Sequence, residues 1–321
     1  MAITEDVDRG NLVIKTLIDA YNENRLFSCK RFPEDIIPDS MEEGSNEHLI
    51  YLSMISSISY LRKEDQLWTL ARDAYEDEKG RDMFIPEKVL QASIGDLERN
   101  MLQFGLLLSS LAVKQWELDN PKAANRRQLQ SRDSEIWINM TVALTDFDSN
   151  IEKLLNYYDF DSEKIIEDFV NGKYSNCFPE YDKKRKVILW LVGLQRYGKY
   201  QIKNLDKVPM PIGMHIIRAT FMSGAMSGET SSIMLDLHKV LSDYWYKVSK
   251  KGKDVFNLSP IEFQSYLWIL SKYGCTKGRK EKPTCSLKNK CPCGSYCSTG
   301  YFESFGTYVK LDTQKASFGS E

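Results

Sequence analysis

Apolar residues recur at intervals of three and four along most of the 321-residue chain. This spacing places apolar side chains on one face of an α-helix, so it predicts amphipathic helices. The predicted helical segments are Leu49–Leu61, Glu64–Tyr75, Pro86–Leu108, Ser134–Leu144, Ile151–Tyr158, Lys184–Tyr197 and Ser231–Val248. No two alternating segments joined by a two-residue turn stand out as a β-hairpin. The pattern therefore predicts an all-α fold.

Polar residues ahead of several segments predict helix starts, because their side chains accept hydrogen bonds from the first backbone amides. Asp148-Ser-Asn precedes Ile151, and Asp161 opens the next segment. Ser259 precedes Pro260, which suits a first helical position. Polar stretches and stretches with proline or glycine predict loops. The predicted loops are Asp119–Arg132, Asn171–Tyr181 and Asn204–Gly213.

The distribution of charge is more informative than its total. The formal net charge of -2 identifies no partner, and 42% hydrophobic residues suffice for one large or two modest domains. Residues 1–50 carry eleven acidic and five basic side chains, whereas residues 272–290 carry seven basic side chains and one acidic. The basic end is therefore suited to meeting phosphates.

No targeting or membrane-spanning segment is evident. The acidic start of the chain lacks the basic and apolar regions of a secretory signal. The most apolar stretch, residues 48–61, is short and interrupted by serines. We therefore expect a cytoplasmic protein in a reducing compartment, where clustered thiols indicate a metal site rather than disulfides.

Five of the seven cysteines lie within 23 residues, with the spacing Cys275-x9-Cys285-x5-Cys291-x5-Cys297 and Cys293 inside the last interval. Thiolates are soft ligands that select iron–sulfur clusters, zinc or copper(I). Zinc sites usually use paired CxxC motifs, and none occurs here. The spacing therefore favours an iron–sulfur cluster over zinc-bound or free thiols.

The choice of four ligands among the five cysteines stays open at this point. The interval between Cys291 and Cys297 makes those two the outer ligands of the last loop, which leaves Cys293 as the extra thiol and a substitute ligand. Cys29 and Cys177 stand alone and are interpreted as ordinary core or surface residues.

The region around these cysteines resembles the helix-hairpin-helix (HhH-GPD) DNA glycosylase superfamily, in its endonuclease III-like branch with a [4Fe-4S] loop. The family pattern is C-x6-C-x2-C-x5-C, and here the last interval matches while the first two are each three residues longer. Residues 263–275 resemble the helix leading into the first ligand. Residues 208–218 resemble the family's V-D-x-H-x-x-R segment, with His215 and Arg218 at its His and Arg. The resemblance covers about residues 178–300.

The resemblance implies two helical domains, with the cluster domain built from both chain ends. We accordingly expect residues 1–60 to pack with the cluster domain, 61–207 to form a helical barrel with a degenerate hairpin, and 208–321 to carry the cluster loop. It also implies double-stranded DNA as the partner and cleavage of the bond that joins a flipped base to its sugar. We expect a monomer with no membrane contact, associated with the nucleoid when bound to DNA.

Two departures from the family concern the chemistry. The position of the family's catalytic aspartate is Gly213, which cannot stabilise developing positive charge or activate a nucleophile. The hairpin glycines are also missing from Phe178-Pro-Glu-Tyr-Asp-Lys-Lys-Arg-Lys186. Lys186 stands where bifunctional members have a lysine that forms a Schiff base. Its other interpretation, which we favour, is as one of four adjacent basic residues at a solvated or phosphate-facing helix start.

Three functions follow as hypotheses. The first is an active glycosylase with a lyase step through Lys186, and the second is an inactive DNA-binding or lesion-sensing protein on the same scaffold. The third is an unrelated iron–sulfur protein without DNA chemistry, although no nucleotide or flavin motif supports an electron carrier. The expected DNA-binding residues are Lys183, Lys184, Arg185, His215, Arg218, Lys277, Arg279 and Lys280.

Overall fold

The computed structural model describes residues 2–27, 30–60, 63–107, 126–179, 183–275, 285, 287–305 and 307–314. Most of these residues are helical, and some form a four-stranded antiparallel sheet. The predominantly helical class is thus confirmed. The sheet is a correction to the all-α prediction.

The helices and strands have the following bounds. The helices are α1 (Val7–Asn22), α2 (Asn46–Ile58), α3 (Glu64–Glu76), α4 (Glu78–Arg81), α5 (Pro86–Gln91), α6 (Ile94–Gln103), α7 (Arg126–Thr145), α8 (Ile151–Tyr157), α9 (Ser162–Val170), α10 (Lys183–Gly198), α11 (Met214–Met222), α12 (Met234–Lys251), α13 (Lys253–Phe256) and α14 (Phe263–Ile269). The strands are β1 (Ala2–Glu5), β2 (Met226–Ile233), β3 (Thr299–Phe305) and β4 (Tyr308–Gln314). A π-helical turn, Leu270–Cys275, directly continues α14.

The chain forms two compact units. The first contains residues 1–32 and 209–321, and the second contains residues 33–208. Helix α2 lies in the second unit, although residues 1–60 were expected to pack with the cysteine-containing unit. Two side chains of α2 contact other helices of that unit. Trp190 Nε1 donates to Ser53 Oγ at 2.8 Å, and Thr141 Oγ1 contacts Met54 Sδ at 3.8 Å.

The sheet belongs to the first unit and has the strand order β1-β2-β4-β3. Strand β2 is central, with Glu229 opposite Ala2 on one side and Asp312 on the other. The predicted helix over Ser231–Val248 is therefore wrong in its first three residues, and the helix begins at Met234. Long-range pairing overrides the local pattern here, because both neighbours of β2 lie far away in sequence.

Helix α1 contributes one face to the core of the first unit. Asp6 caps it by accepting from the backbone amide of Arg9 at 3.0 Å. Val13, Ile14 and Leu17 share one face of the helix at helical spacing and are fully buried in the core of this unit.

Side-chain caps define helix starts in the second unit as the sequence predicts. Asn150 accepts from the amide of Lys153 at 2.9 Å, and Asp161 accepts from that of Glu163 at 2.9 Å. The predicted segment Pro86–Leu108 is two helices, because Ser93 caps a new one. Helix α7 begins at Arg126, so the predicted loop Asp119–Arg132 is wrong from that residue on, and residues 119–125 lie outside the described part of the chain.

Candidate functional site

Two of the predicted site residues contact the same serine of the π turn. Ser271 is fully buried in this turn, and its hydroxyl lies 3.0 Å from Nδ1 of His215 and 3.5 Å from Nη1 of Arg218. π turns are rare and frequently mark functional positions. The His and Arg predicted from the sequence thus converge on one serine, four residues before Cys275.

Arg218 is enclosed by apolar and sulfur atoms. Its guanidinium carbon lies 5.0 Å from the ring centre of Phe302, and Nη2 lies 3.5 Å from Sδ of Met214. Burial lowers the pKa of Arg218, and interaction with Cys275 opposes that shift. The group remains a cation, since an arginine keeps its proton in proteins. Its orientation is fixed before any ligand arrives.

Gly213 occupies the N-cap of α11 and offers no side-chain cap. Its backbone is extended, with φ −126° and ψ 177°, a conformation open to any residue. The missing carboxylate is therefore not enforced by the backbone at this position. A side chain placed here would start the same helix that carries His215 and Arg218.

The described residues 287–297 of the cysteine loop contain two short 3-10 turns, Lys288–Lys290 and Gly294–Tyr296. A Cβ atom on Gly294 would lie 1.7 Å from the carbonyl oxygen of Lys288, so only glycine permits this approach. Arg9 Nη1 donates to the carbonyl oxygen of Tyr296 at 3.0 Å. The loop is thereby attached to α1.

Two thiols of this loop, those of Cys293 and Cys297, interact with Cys291. Hydrogen bonding with Cys293 is the main reason that the pKa of Cys291 is raised to about 12, while Cys297 opposes the shift and burial adds to it. Cys293 is fully buried in the core, whereas Cys275 and Cys297 are partly exposed. Cys293 is thus as much a neighbour of Cys291 as Cys297 is, although the sequence interpretation treats it as the extra thiol.

The chemistry of these donors fits a sulfur-ligated centre. Three thiols share one neighbourhood, and soft sulfur ligands select iron–sulfur clusters, zinc or copper(I). Within the described ranges, no group of three or more His, Cys, Asp or Glu side chains is arranged to hold a metal ion. The fit therefore depends on the chemistry of the donors and on the interactions of Cys291 with Cys293 and Cys297.

Lys186 lies in the second unit and its amine points inward. The side chain is 6% exposed; Nζ lies 3.2 Å from Oγ of Ser59 and 3.6 Å from the carboxylate of Glu64, and it also donates to the Ser59 carbonyl. Lys183 is buried as well, whereas Lys184 is exposed and Arg185 is half-buried. The four adjacent basic residues therefore do not share one face.

A buried carboxyl beside this ion pair gave no sequence signal. Burial is the main reason that the pKa of Glu34 is raised to about 7; Glu64 and Asp35 add to the shift, and Arg196 opposes it. Among the described residues, no hydrogen-bond partner reaches Oε2 of Glu34. The proximity of Glu34 to Glu64 depends on the fold, since the two residues are far apart in sequence.

The remaining predicted DNA-binding residues, Lys277, Arg279 and Lys280, lie outside the described residues. Lys272 was not among the predicted DNA-binding residues. Lys272 Nζ lies 4.2 Å from the ring centre of Trp268, at the i, i+4 spacing that brings helical side chains together. That spacing is visible in the sequence and could have identified the pair.

Comparison of the chain with protein-family models, with curated proteins and with solved structures finds no match. None of the helices in the described part of the chain has the length and apolar character needed to cross a membrane. Inferences about function therefore depend on the arrangement of the chain's own residues.

Proposed function

We propose that this chain binds double-stranded DNA as a glycosylase-type base-excision protein, with a [4Fe-4S] cluster at its C-terminal cysteines. The ligands are Cys275, Cys285, Cys291 and Cys297, with Cys293 as the substitute. The carrying observation is the convergence of His215 and Arg218 on Ser271, within the turn that ends at Cys275.

Arg218 has the properties of a phosphate ligand. Ser271, Met214 and Phe302 fix its guanidinium, which saves the ordering cost of binding. A planar guanidinium matches the geometry of phosphate oxygens and donates charge-assisted hydrogen bonds to them. His215 shares the same serine and is held beside it.

The cysteines serve this surface as a support. When bound, an iron–sulfur cluster would cross-link the loop to the end of the π turn. Arg9 already attaches the loop to α1 through the Tyr296 carbonyl. No step of base removal passes through the cluster in this proposal.

A lyase step would require a change at Lys186. As a nucleophile, the amine would have to lose a proton and leave its contacts with Ser59 and Glu64. Glu64, at 3.6 Å, is the carboxylate placed to take that proton. Gly213 supplies no carboxylate of its own.

The second candidate function is DNA or lesion binding without base excision. Two observations favour it: Gly213 in place of a carboxylate, and the burial of the Lys186 amine among hydrogen-bond acceptors. It shares the DNA surface with the first candidate and differs in chemistry alone.

Borohydride trapping and strand cleavage on duplexes with a panel of damaged bases and an abasic site separate the two. The proteins compared are wild type, Gly213→Asp and Lys186→Gln, with the exposed neighbour Lys184→Gln as the matched control. A trapped adduct that Lys186→Gln alone loses indicates an active lyase. Binding without base release, with release gained in Gly213→Asp, indicates a scaffold that lacks only its carboxylate. Absence of duplex binding at low salt contradicts both candidates.

A further inference from the structure

Helix α12 of the first unit has a buried side and an exposed side. The buried side packs in the core of this unit through Leu237, Leu241 and Tyr244, which are fully buried. A stripe of exposed residues runs along the opposite side, within a band of about 100° around the helix axis. The stripe consists of Leu235, Asp236, Lys239, Asp243, Tyr246 and Lys250.

The stripe carries apolar surface at two places. Leu235 is 68% exposed, and Tyr246 is 46% exposed. Lys250 Nζ lies 5.1 Å from the centre of the Tyr246 ring and contacts one part of it. Leu235 and Tyr246 are eleven residues apart, which is about 17 Å along a helix. Two apolar side chains with this spacing on one stripe suit a contact with a second helix.

The charges between these two apolar residues are not balanced by ion pairs. Lys239 and Asp243 form no ion pair among the residues that the structure describes. A basic residue four positions before an acidic one is the less favourable order for pairing within a helix. Lys247, on the flank of the same helix, shows the contrast, because its Nζ lies 2.7 Å from the carboxylate of Glu5. Lys239 and Asp243 are therefore available to charges of another molecule.

The stripe is complementary to a copy of itself. In two antiparallel α12 helices related by a twofold axis at the level of residue 241, positions at equal distances on either side of that level face each other. Lys239 of each copy then lies opposite Asp243 of the other, since each is two residues from the axis. Leu235 is six residues from the axis and Tyr246 is five, so these two also meet, with a mismatch of about 1.5 Å along the helix.

We propose that the chain forms a homodimer through Leu235, Lys239, Asp243 and Tyr246, here called the α12 face. Each α12 face packs antiparallel against the α12 face of a second copy. Two reciprocal ion pairs lie at the centre of the contact, and two apolar contacts flank them. The dimer goes beyond the proposed function and does not depend on it, and it differs from the monomer that we expect from the sequence.

The dimer should be weak and reversible. A stable interface buries about 800 Å² on each partner. A single pair of helices in contact over about 17 Å covers less than that, so the dimer should dissociate on dilution. The ion pairs contribute mainly to register and to the choice of partner, because misaligned copies would place like charges together.

The test is sedimentation velocity of the full chain across a range of concentrations, in the presence of a reducing agent. Wild type should shift from monomer to dimer as its concentration rises. Lys239→Asp and Asp243→Lys each place like charges opposite each other twice, so each should weaken dimerisation at least about tenfold. Lys184→Asp reverses an exposed charge in the second unit, and this matched control should dimerise as wild type does.

A mixture of the two variants provides a sharper test. When one Lys239→Asp chain pairs with one Asp243→Lys chain, both central contacts again join opposite charges. The equimolar mixture should therefore form dimers at concentrations at which neither variant alone does so. A mixture that stays monomeric where wild type is dimeric would overturn the assignment of the interface to the α12 face.

Substitution of Leu235 tests the apolar part of the contact. Leu235→Ser removes apolar surface from the interface twice in each dimer, so it should weaken dimerisation about tenfold. Leu102→Ser is the matched control, because Leu102 is 63% exposed on α6 of the second unit. Equal effects of the two substitutions would contradict the role of Leu235.

The remaining outcomes are also decisive. Wild type that stays monomeric at every concentration would overturn the dimer, as would a wild-type dimer that both charge reversals leave unchanged. Binding to a DNA duplex is measured separately, and its absence would overturn the proposed function while leaving the dimer standing. Circular dichroism and melting of each variant confirm that the fold is retained.

Discussion

Two lysines in the two units show how differently one side chain can be used. Lys186 in the second unit is enclosed, with its amine bound to Ser59 and paired with Glu64. Lys272 in the first unit lies over the rings of Trp268 and Tyr273 and remains partly exposed. The first ammonium has its charge balanced within the protein. The second is oriented by two aromatic rings, so a basic residue near a predicted site becomes informative only when its partners are known.

If the proposed [4Fe-4S] cluster is present, removing one of its cysteine ligands should have the largest effect, and it should destabilise the first unit but not the second. We expect Cys297→Ser, or chelation of the iron, to destabilise the first unit and abolish DNA binding, because the loop would lose its cross-link. The second unit contains none of the cysteine loop, so its unfolding transition should stay unchanged. Iron content, visible absorbance and limited proteolysis provide the measurements, with wild type as the control. Full DNA binding after complete loss of the cluster absorbance would refute this role.

Lys186→Met should destabilise the second unit by about 2–3 kcal/mol, because it leaves the Ser59 carbonyl without its donor and Glu64 without its cation. Urea denaturation measures the change. Lys184→Met, at the exposed neighbouring position, should cost less than about 0.5 kcal/mol. Equal effects of the two substitutions would show that the enclosed ammonium has no special structural role.

The smallest expected effect concerns Glu34. Its pKa is raised in part by Glu64, which is the carboxylate partner of Lys186. Its pKa is raised to about 7 in the folded chain, so the protonated form stabilises the fold at low pH. That stabilisation should be lost as the pH rises from about 4.5 through 7. The difference in unfolding free energy between wild type and Glu34→Gln should show this dependence.

The pKa of His48 is shifted in the opposite direction, so its contribution to stability depends on pH in the opposite sense. Burial lowers its pKa to about 4, so its contribution is lost as the pH falls from about 6.5 through 4. Because both proteins contain His48, its contribution cancels in the difference. A difference that does not vary between pH 4.5 and 7 would contradict the assignment to Glu34.

Local signals predicted the helices better than the strands. The caps at Asn150 and Asp161 are encoded within three residues of the amides they bind, so the sequence reveals them. Strand β2 is rich in serine and glycine and has no clear apolar alternation. It forms because β1 and β4 supply its hydrogen bonds, which is information from distant parts of the chain.

In the candidate site, too, contacts between residues close in sequence were easier to predict than contacts between distant segments. His215 and Arg218 were predicted from one short motif, and both meet Ser271 in the structure. The pairing of Lys272 with Trp268 was also readable, as an i, i+4 spacing. The contact of Lys30 with Tyr273 was not, because it joins segments more than 200 residues apart.

The division of the chain has a consequence for its synthesis. Residues 1–32 leave the ribosome before residues 226–233, which contain the partner of strand β1, and all of residues 33–208 are made in between. Since domains generally fold as units as they emerge, the second unit should complete its folding before the first unit does. Until then, Val13, Ile14 and Leu17 of α1, which are fully buried in the folded protein, stay exposed to water. The nascent chain therefore offers a chaperone an apolar helix for the whole time that the inserted unit is being made.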